Sequence, residues 1–139
     1  MKISTRGTYA LRVLCELAKL EKDEYMCLGT LCEKQHISRK YLDRITPLLL
    51  KGGLLKTLRG SCGGCALALP PEQISVAQVL RLTEGSLAPV PCLKDSECDH
   101  CDRCPAYPLW QGLENVVTDY LSGISIAQLI ERKDGETNE

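Results

Sequence analysis

A glycine-rich segment at residues 59–64, with the sequence Arg-Gly-Ser-Cys-Gly-Gly, constrains the fold of this chain most. Its three glycines disfavour both helix and strand, because glycine loses more backbone freedom on ordering than any other residue. The segment separates two short apolar runs, residues 54–58 and 65–69, each long enough for one strand. The pattern therefore predicts a β-hairpin with the glycines at its turn.

The residues before this hairpin predict a helix-turn-helix. Helices are expected at about residues 5–20, 28–35 and 39–50, because apolar side chains recur there every three or four positions. The break at His36-Ile37 leaves only a short turn between the second and third helices, and Ser38 is a good N-cap for the third. A hairpin directly after such a pair indicates a winged helix, in which the third helix enters the DNA major groove and the hairpin is the wing.

Charge is divided unequally along the chain, although the net charge is only −1. Residues 1–70 carry twelve Lys and Arg against six Asp and Glu, whereas residues 71–139 carry five against twelve. A basic half suits a polyanion, because Lys and Arg that neutralise phosphates release condensed counterions. DNA contacts are therefore predicted on the third helix and on the wing, at Ser38, Arg39, Lys40, Tyr41, Asp43, Arg44, Lys56, Arg59 and Gly60.

The roles of three of these residues stay open at the level of sequence. Arg39 either reads a guanine edge or grips phosphate. Asp43 either accepts a hydrogen bond from a cytosine amino group, repels a wrong sequence, or pairs with a neighbouring arginine. Arg59 is placed to insert into a minor groove, where A·T-rich tracts concentrate negative potential.

Nine cysteines are the second unusual feature of the chain. Cys92, Cys98, Cys101 and Cys104 fall within thirteen positions of a segment, residues 86–108, that lacks apolar periodicity. Charged residues interrupt the N-terminal stretch, so no signal peptide is predicted and the chain is expected in the cytoplasm, where thiols stay reduced. Clustered reduced thiols indicate a metal centre, and this spacing suits either an iron–sulfur cluster or a Cys₄ zinc site. Residues 86–108 are therefore predicted to be a metal-binding loop.

The other cysteines lead to different expectations. Cys15 and Cys32 lie beside apolar stripes and are predicted to be small core residues. Cys62 and Cys65 are either a redox-active pair or ordinary hairpin residues, since a strand and turn offer no helix N-terminus to lower a thiol pKa.

The C-terminal half predicts a short helix at residues 76–82 and a long helix that starts near Pro108. Its apolar residues, three or four apart, are Leu109, Leu113, Val116, Val117, Tyr120 and Leu121. We expect this stripe to pack against a second copy of the chain, with packing on its own domain as the alternative. Ser125 and Gln128 predict a capping box for a last helix at residues 126–131, followed by a disordered tail at residues 132–139.

The predicted fold is thus mainly α with a small β-hairpin. It comprises a winged helix-turn-helix domain at residues 1–85, the cysteine loop, and a long dimerisation helix with a short terminal helix at residues 109–131.

Over residues 1 to about 130, the chain resembles the Rrf2 family of bacterial winged-helix transcription regulators, the family of IscR, NsrR and CymR. The resemblance depends on the order and spacing of several short segments. They are KIS at residues 2–4, GTYALR at 7–12, IS at 37–38, YLD at 41–43, RG at 59–60, GG at 63–64, LA at 67–68 and EG at 84–85.

The resemblance implies a homodimer that binds pseudo-palindromic operators in double-stranded DNA. It also implies that Cys92, Cys98 and Cys104, at the family's ligand spacing, hold a [2Fe–2S] or [4Fe–4S] cluster, which favours iron over zinc. The chain departs from the family pattern at Tyr107, where some members have a histidine, and at Thr8, where others supply an acidic ligand. Cys101 is the expected fourth ligand, with His100 or a group from the partner subunit as alternatives.

The leading hypothesis is therefore a regulator, a repressor or an activator, whose operator binding depends on a cluster that senses redox state, nitric oxide or iron. A structural zinc site in place of the cluster is one alternative. A ferredoxin-like electron carrier or thiol oxidoreductase is another, although neither needs the basic half. An enzyme is not expected, since no Ser/His/Asp set and no phosphate-binding glycine loop is present. No apolar run approaches the length of a membrane span, so no membrane partner is expected.

Overall fold

The structure, a computed structural model, describes the backbone of residues 2–60, 63–94 and 102–137. Its helices and strands follow in the order α1 Thr5–Leu17, α2 Leu28–Gln35, α3 Arg39–Lys51, β1 Leu55–Leu58, β2 Gly64–Leu67, a 3₁₀ turn Pro71–Gln73, α4 Val76–Glu84, α5 Pro91–Lys94, α6 Tyr107–Ser122 and α7 Ile126–Thr137. The prediction of a mainly helical chain with one small hairpin is confirmed. No helix of the described part is long and apolar enough to span a membrane.

Serine side chains fix where three of the longer helices begin. Ser4 accepts a hydrogen bond from the Gly7 backbone N–H at the start of α1, and Ser38 accepts one from Tyr41 at the start of α3. At α7, Ser125 and Gln128 form the predicted capping box, in which each side chain accepts from the other residue's backbone N–H. These caps satisfy N–H groups that have no partner within their own helix.

The ends of α1 and α7 differ most from the prediction. α1 stops at Leu17, because the chain tightens there and Leu20 donates its N–H to the carbonyl of Leu17, three residues back. α7 extends to Thr137, six residues beyond the predicted end of the last helix at Glu131. The segment lacks proline and its Arg132, Lys133 and Glu136 favour a helix, whereas Gly135 within it does not.

The hairpin packs against the segment that precedes α2. β1 and β2 are antiparallel, with Leu55 opposite Leu67, and Met26 adds one further bridge to Cys65 on the outer side of β2. A Cβ atom on Gly64 would lie 2.2 Å from the Met26 carbonyl oxygen, so this close approach requires glycine. The hairpin is thereby fixed to the helix-turn-helix.

The main core lies between α1, the helix-turn-helix and the hairpin, and it is mainly aliphatic. Its largest fully buried side chains include Leu14, Leu31, Leu42, Ile45 and Leu49. A second cluster joins α4 to the end of α6 and the start of α7. Cys15 and Cys32 are half-buried and pack against the main core.

Candidate nucleic-acid interface

The predicted DNA-binding residues all lie on the outer surface of the winged helix. The six on α3 and its N-cap are exposed, whereas Leu42, Ile45 and Leu49 on the opposite side of the helix are buried. Lys56, Arg59 and Gly60 on the hairpin are exposed as well. The amphipathic character of α3 therefore presents its polar side chains to solvent, which is the arrangement that a groove-binding helix requires.

Helix α3 and the hairpin face one common groove of about 360 Å³. Arg39 lines it from α3, Thr57 and Gly60 line it from the hairpin, and the residues that begin α2 close its third side. Gly60 has a φ of +115°, a backbone conformation that lets the chain turn sharply at the tip. The structure thus brings Arg39 and the wing tip to one place, as the winged-helix prediction required.

Arg39 and Asp43 form an ion pair one helical turn apart, with 3.1 Å between Nε and Oδ1. Both side chains are more than half exposed, so the pair is worth about 0.3 to 0.5 kcal/mol, as for other exposed pairs at this spacing. In the structure, therefore, Asp43 pairs with a neighbouring arginine. An interaction this weak leaves Arg39 free to exchange its partner for a phosphate or a base.

A polar network that the sequence analysis missed connects α1 to the turn of the helix-turn-helix. Arg12 donates to the side chain and the backbone carbonyl of Gln35, the last residue of α2, and Gln35 donates to Glu16 at 2.9 Å. Nearby, the rings of Tyr9 on α1 and Tyr41 on α3 meet edge to face, with centroids 5.5 Å apart. The opposite charges of Arg12 and Glu16, four residues apart on α1, were the available signal, although they did not identify the partner.

A second contact missed from sequence joins the two ends of the winged-helix domain. The backbone N–H and the hydroxyl of Ser4 each donate to Oε1 of Glu84 at 2.8 Å. Glu84 ends α4, and Gly85 follows it with a φ of +80° and leads toward the cysteine segment. The N-cap of α1 is therefore hydrogen-bonded to the last residue of α4, just before the cysteine segment.

The predicted metal-binding segment is described only in part. Cys92 lies in α5 and Cys104 lies just before α6, where its carbonyl accepts from Tyr107 at 3.2 Å, and both thiols are half-buried. Cys98 and Cys101 lie outside the described residues, as does His100. Among the residues that can be placed, no group of three or more His, Cys, Asp or Glu could hold a metal ion. The donor chemistry fits iron–sulfur or zinc, since both accept thiolates.

Two other cysteines differ sharply in environment. Cys27 is exposed at the N-cap of α2, and hydrogen bonds from the Thr30 hydroxyl and from nearby backbone N–H groups lower its pKa. Cys65 is buried in the hairpin, and burial, followed by the nearby Cys27, raises its pKa to about 11. A thiol with a raised pKa is a poor nucleophile, which weighs against a redox role for Cys65 with Cys62, a residue outside the described part.

Helix α6 carries an exposed apolar face along its length, and none of its residues is buried. Four residues at intervals of four, three and four form this face, which we call the α6 face, and they are between 38% and 65% exposed: Leu109, Leu113, Val116 and Tyr120. Of the stripe predicted from sequence, Leu121 instead packs against the second core cluster. A contiguous apolar face of this kind is typical of a protein–protein contact.

The sequence profile of the Rrf2 family, described as an iron-dependent transcriptional regulator, matches residues 3–132. The chain is 33% identical to CymR of Bacillus subtilis over 98% of this chain and 94% of that protein. It is 31% identical to IscR of Aliivibrio salmonicida over 94% of this chain and 77% of that protein. Both relatives are named as helix-turn-helix transcriptional regulators.

Solved structures give the same likeness in three dimensions. The structure of B. subtilis CymR, titled the global cysteine regulator of that organism, superposes with a TM-score of 0.78 and covers 95% of this chain and 98% of that one, at 28% identity. A structure of IscR from T. potens superposes with a TM-score of 0.76 at 26% identity, covering 96% of this chain and 88% of that one.

Proposed function

The chain belongs to the Rrf2 family of transcription regulators, and on this premise we propose that it binds operator DNA as a homodimer under the control of an iron–sulfur cluster. One observation carries the DNA-binding part of the proposal. Arg39, on the first turn of the exposed polar face of α3, and Gly60, at the tip of the hairpin, line one groove. The relatives are named as regulators of transcription and not as enzymes or electron carriers, which favours this function over the ferredoxin-like alternative.

In the proposed complex, α3 enters the major groove and the hairpin follows the adjacent backbone or minor groove. Ser38, Arg39, Lys40 and Tyr41 lie on the first turn of α3, the part that reaches base edges in helix-turn-helix proteins. Arg39 leaves its weak pair with Asp43 to contact a base or a phosphate. Lys56 and Arg59 neutralise phosphates along the wing.

The α6 face is the proposed contact between the two subunits. Its apolar side chains are exposed in the single chain, and a second copy of the same helix offers a matching face. A two-fold contact would present two copies of α3 to successive half-sites, so the operator would be pseudo-palindromic.

The proposed ligands of the cluster are Cys92, Cys98 and Cys104, with Cys101 as the fourth. Thiolates suit iron because soft sulfur ligands stabilise it, and four protein ligands complete either common cluster type. When bound, the cluster would supply a centre that reacts to redox state, nitric oxide or iron supply. The half-buried Cys92 and Cys104 lie at either end of a segment that comes after Glu84, which is itself bonded to α1.

The DNA part is tested by fluorescence-anisotropy titrations at two salt concentrations, with a duplex selected from a random pool and a scrambled duplex. Arg39→Ala should abolish the preference for the selected duplex, whereas Lys56→Ala should weaken both duplexes and reduce the salt slope by about one. Arg132→Ala, which removes an exposed arginine from the C-terminal helix, is the matched control and should change neither quantity. Equal preference in the Arg39→Ala variant and the wild type would contradict the assignment of α3.

The cluster part is tested by measuring iron, sulfide and zinc in anaerobically purified protein, together with its visible absorbance. A brown protein with iron and sulfide is expected, and Cys104→Ala should lose the colour while Cys32→Ala keeps it. A colourless anaerobic sample with stoichiometric zinc would refute the cluster and support the zinc alternative.

A further inference from the structure

We propose that Arg12 on α1 is a positioning residue for α3, because it anchors the turn between α2 and α3 from inside the protein. The inference rests on the proposed DNA binding and adds a residue outside the DNA-contacting set. In sequence, Arg12 is one more cation in a basic half. In the structure its guanidinium is half-buried and points to another helix.

Arg12 caps the C-terminal end of α2. Its Nε donates to the side-chain oxygen of Gln35 at 3.2 Å, and one terminal nitrogen donates to the Gln35 backbone carbonyl. The last carbonyls of a helix have no partner within the helix, and a cation placed there also interacts favourably with the helix dipole. The planar, forked guanidinium can reach both oxygens of Gln35 at once, which the single ammonium of lysine cannot do as well.

The same glutamine is held from its other side. Gln35 donates from Nε2 to Glu16, a carboxylate that is only 8% exposed and that also pairs with Lys34 at 3.6 Å. Arg12 and Glu16 lie on successive turns of α1, so both ends of the Gln35 amide are fixed by one helix. A buried polar network that is fully paired rigidifies the elements it joins.

The turn between the two helices begins directly after Gln35. His36 has a φ of +53°, the left-handed conformation that a non-glycine residue adopts at an energetic cost, and Ser38 caps α3 two residues later. α1 also contacts the first turn of α3 directly, since the ring of Tyr9 packs edge to face against the ring of Tyr41. The Arg12 guanidinium lies over the same Tyr9 ring, 5.2 Å from its centroid. Arg12 therefore acts on both ends of the short link that sets the direction of α3.

The proposal predicts a pattern of DNA binding that a direct phosphate contact would not give. In Arg12→Ala, the preference for the selected duplex over the scrambled duplex should fall about tenfold or more, while the salt slope on either duplex stays unchanged. If Arg12 contacted a phosphate directly, its loss would weaken binding to both duplexes equally and lower the salt slope by about 0.9. That result would overturn the proposal.

Gln35→Ala supplies the second variant, because it removes the side-chain bonds to Arg12 and Glu16 but keeps the Arg12 charge and its bond to the backbone carbonyl. It should reproduce part of the loss of preference. The loss in the double variant should be smaller than the sum of the losses in the two single variants. Arg12→Lys should recover only part of the preference, and full recovery would overturn the role of the fork. If Arg12→Ala unfolds in circular dichroism melts, Gln35→Ala alone decides, and an unchanged preference there overturns the proposal.

These outcomes separate the inference from the function on which it rests. If the wild-type protein shows no preference between the two duplexes, the proposed function fails. If the wild type discriminates and both variants discriminate equally well, the proposed function stands and the positioning role of Arg12 is wrong.

Discussion

Glu84→Ala should destabilise the winged-helix domain measurably, because it removes a contact with Ser4 at the other end of that domain. The substitution removes one carboxylate oxygen that accepts two hydrogen bonds from Ser4, each 2.8 Å long. Hydrogen bonds to a charged group contribute about 1.5 to 3 kcal/mol each. Because the site is partly exposed, we expect each of the two bonds to contribute an amount near or below the lower end of this range. We therefore expect a loss of about 2 to 3 kcal/mol in the free energy of unfolding, or a melting temperature lower by about 6 to 9 °C.

The assay is urea and thermal unfolding monitored by circular dichroism at fixed protein concentration. Glu84→Gln keeps an acceptor oxygen in the same place, so it should lose less than half as much stability as Glu84→Ala. Glu72→Ala, which truncates an exposed glutamate on the 3₁₀ turn, is the control and should stay within about 0.5 kcal/mol of the wild type.

A double-mutant cycle with Ser4→Ala isolates the contact itself. Ser4→Ala removes the hydroxyl donor and the N-cap of α1 but keeps the backbone N–H that also binds Glu84. The two substitutions should be non-additive by about 1 kcal/mol, as expected for residues in direct contact. Additive effects, or a Glu84→Ala protein as stable as the wild type, would refute the argument.

Three further perturbations probe the proposed dimer contact, the cysteines and the hairpin. Val116→Glu on the α6 face should shift the mass measured by light scattering from twice the 15.4 kDa of one chain to a single chain, whereas Gln111→Glu, also exposed on α6 but outside that face, should not. The alkylation rate of Cys27, read by peptide mass spectrometry, should rise at a lower pH than that of Cys65, because the pKa of the first is lowered and that of the second is raised to about 11; equal pH profiles would contradict this. Gly64→Ala should cost more than about 2 kcal/mol in urea unfolding, because its Cβ would lie 2.2 Å from a backbone carbonyl, and a neutral result would show that the hairpin can move away.

The parts of the fold that could be predicted from sequence are those specified by residues close together in the chain. Ser38 marks the start of α3 and the Ser125–Gln128 box marks the start of α7, because a capping side chain acts within three residues of itself. The hairpin was recognisable for the same reason, since its glycines and apolar runs are contiguous. The end of α7 at Thr137 was not predicted, because charged residues such as those after Glu131 are typical both of a solvated tail and of an exposed helix.

The contacts that organise the candidate site join residues far apart in sequence. Arg12 and Gln35 are separated by 23 positions and Ser4 and Glu84 by 80, and no local pattern specifies which charged group meets which partner. The outward direction of the proposed DNA-binding side chains was predictable from the periodicity of α3. The shape of the groove between Arg39 and the hairpin was not predictable, because it depends on how Gly64 lets β2 approach the segment before α2.

Sequence-specific DNA recognition is tested most directly by selecting bound duplexes from a random pool with the purified protein and sequencing them. We expect enrichment of a pseudo-palindrome whose half-sites are centred about one helical turn of DNA, or a multiple of it, apart. The enrichment should disappear with Arg39→Ala and persist with Arg132→Ala. A wild-type protein that enriches no sequence, while remaining folded, would contradict the claim that this chain recognises DNA through α3 and its wing.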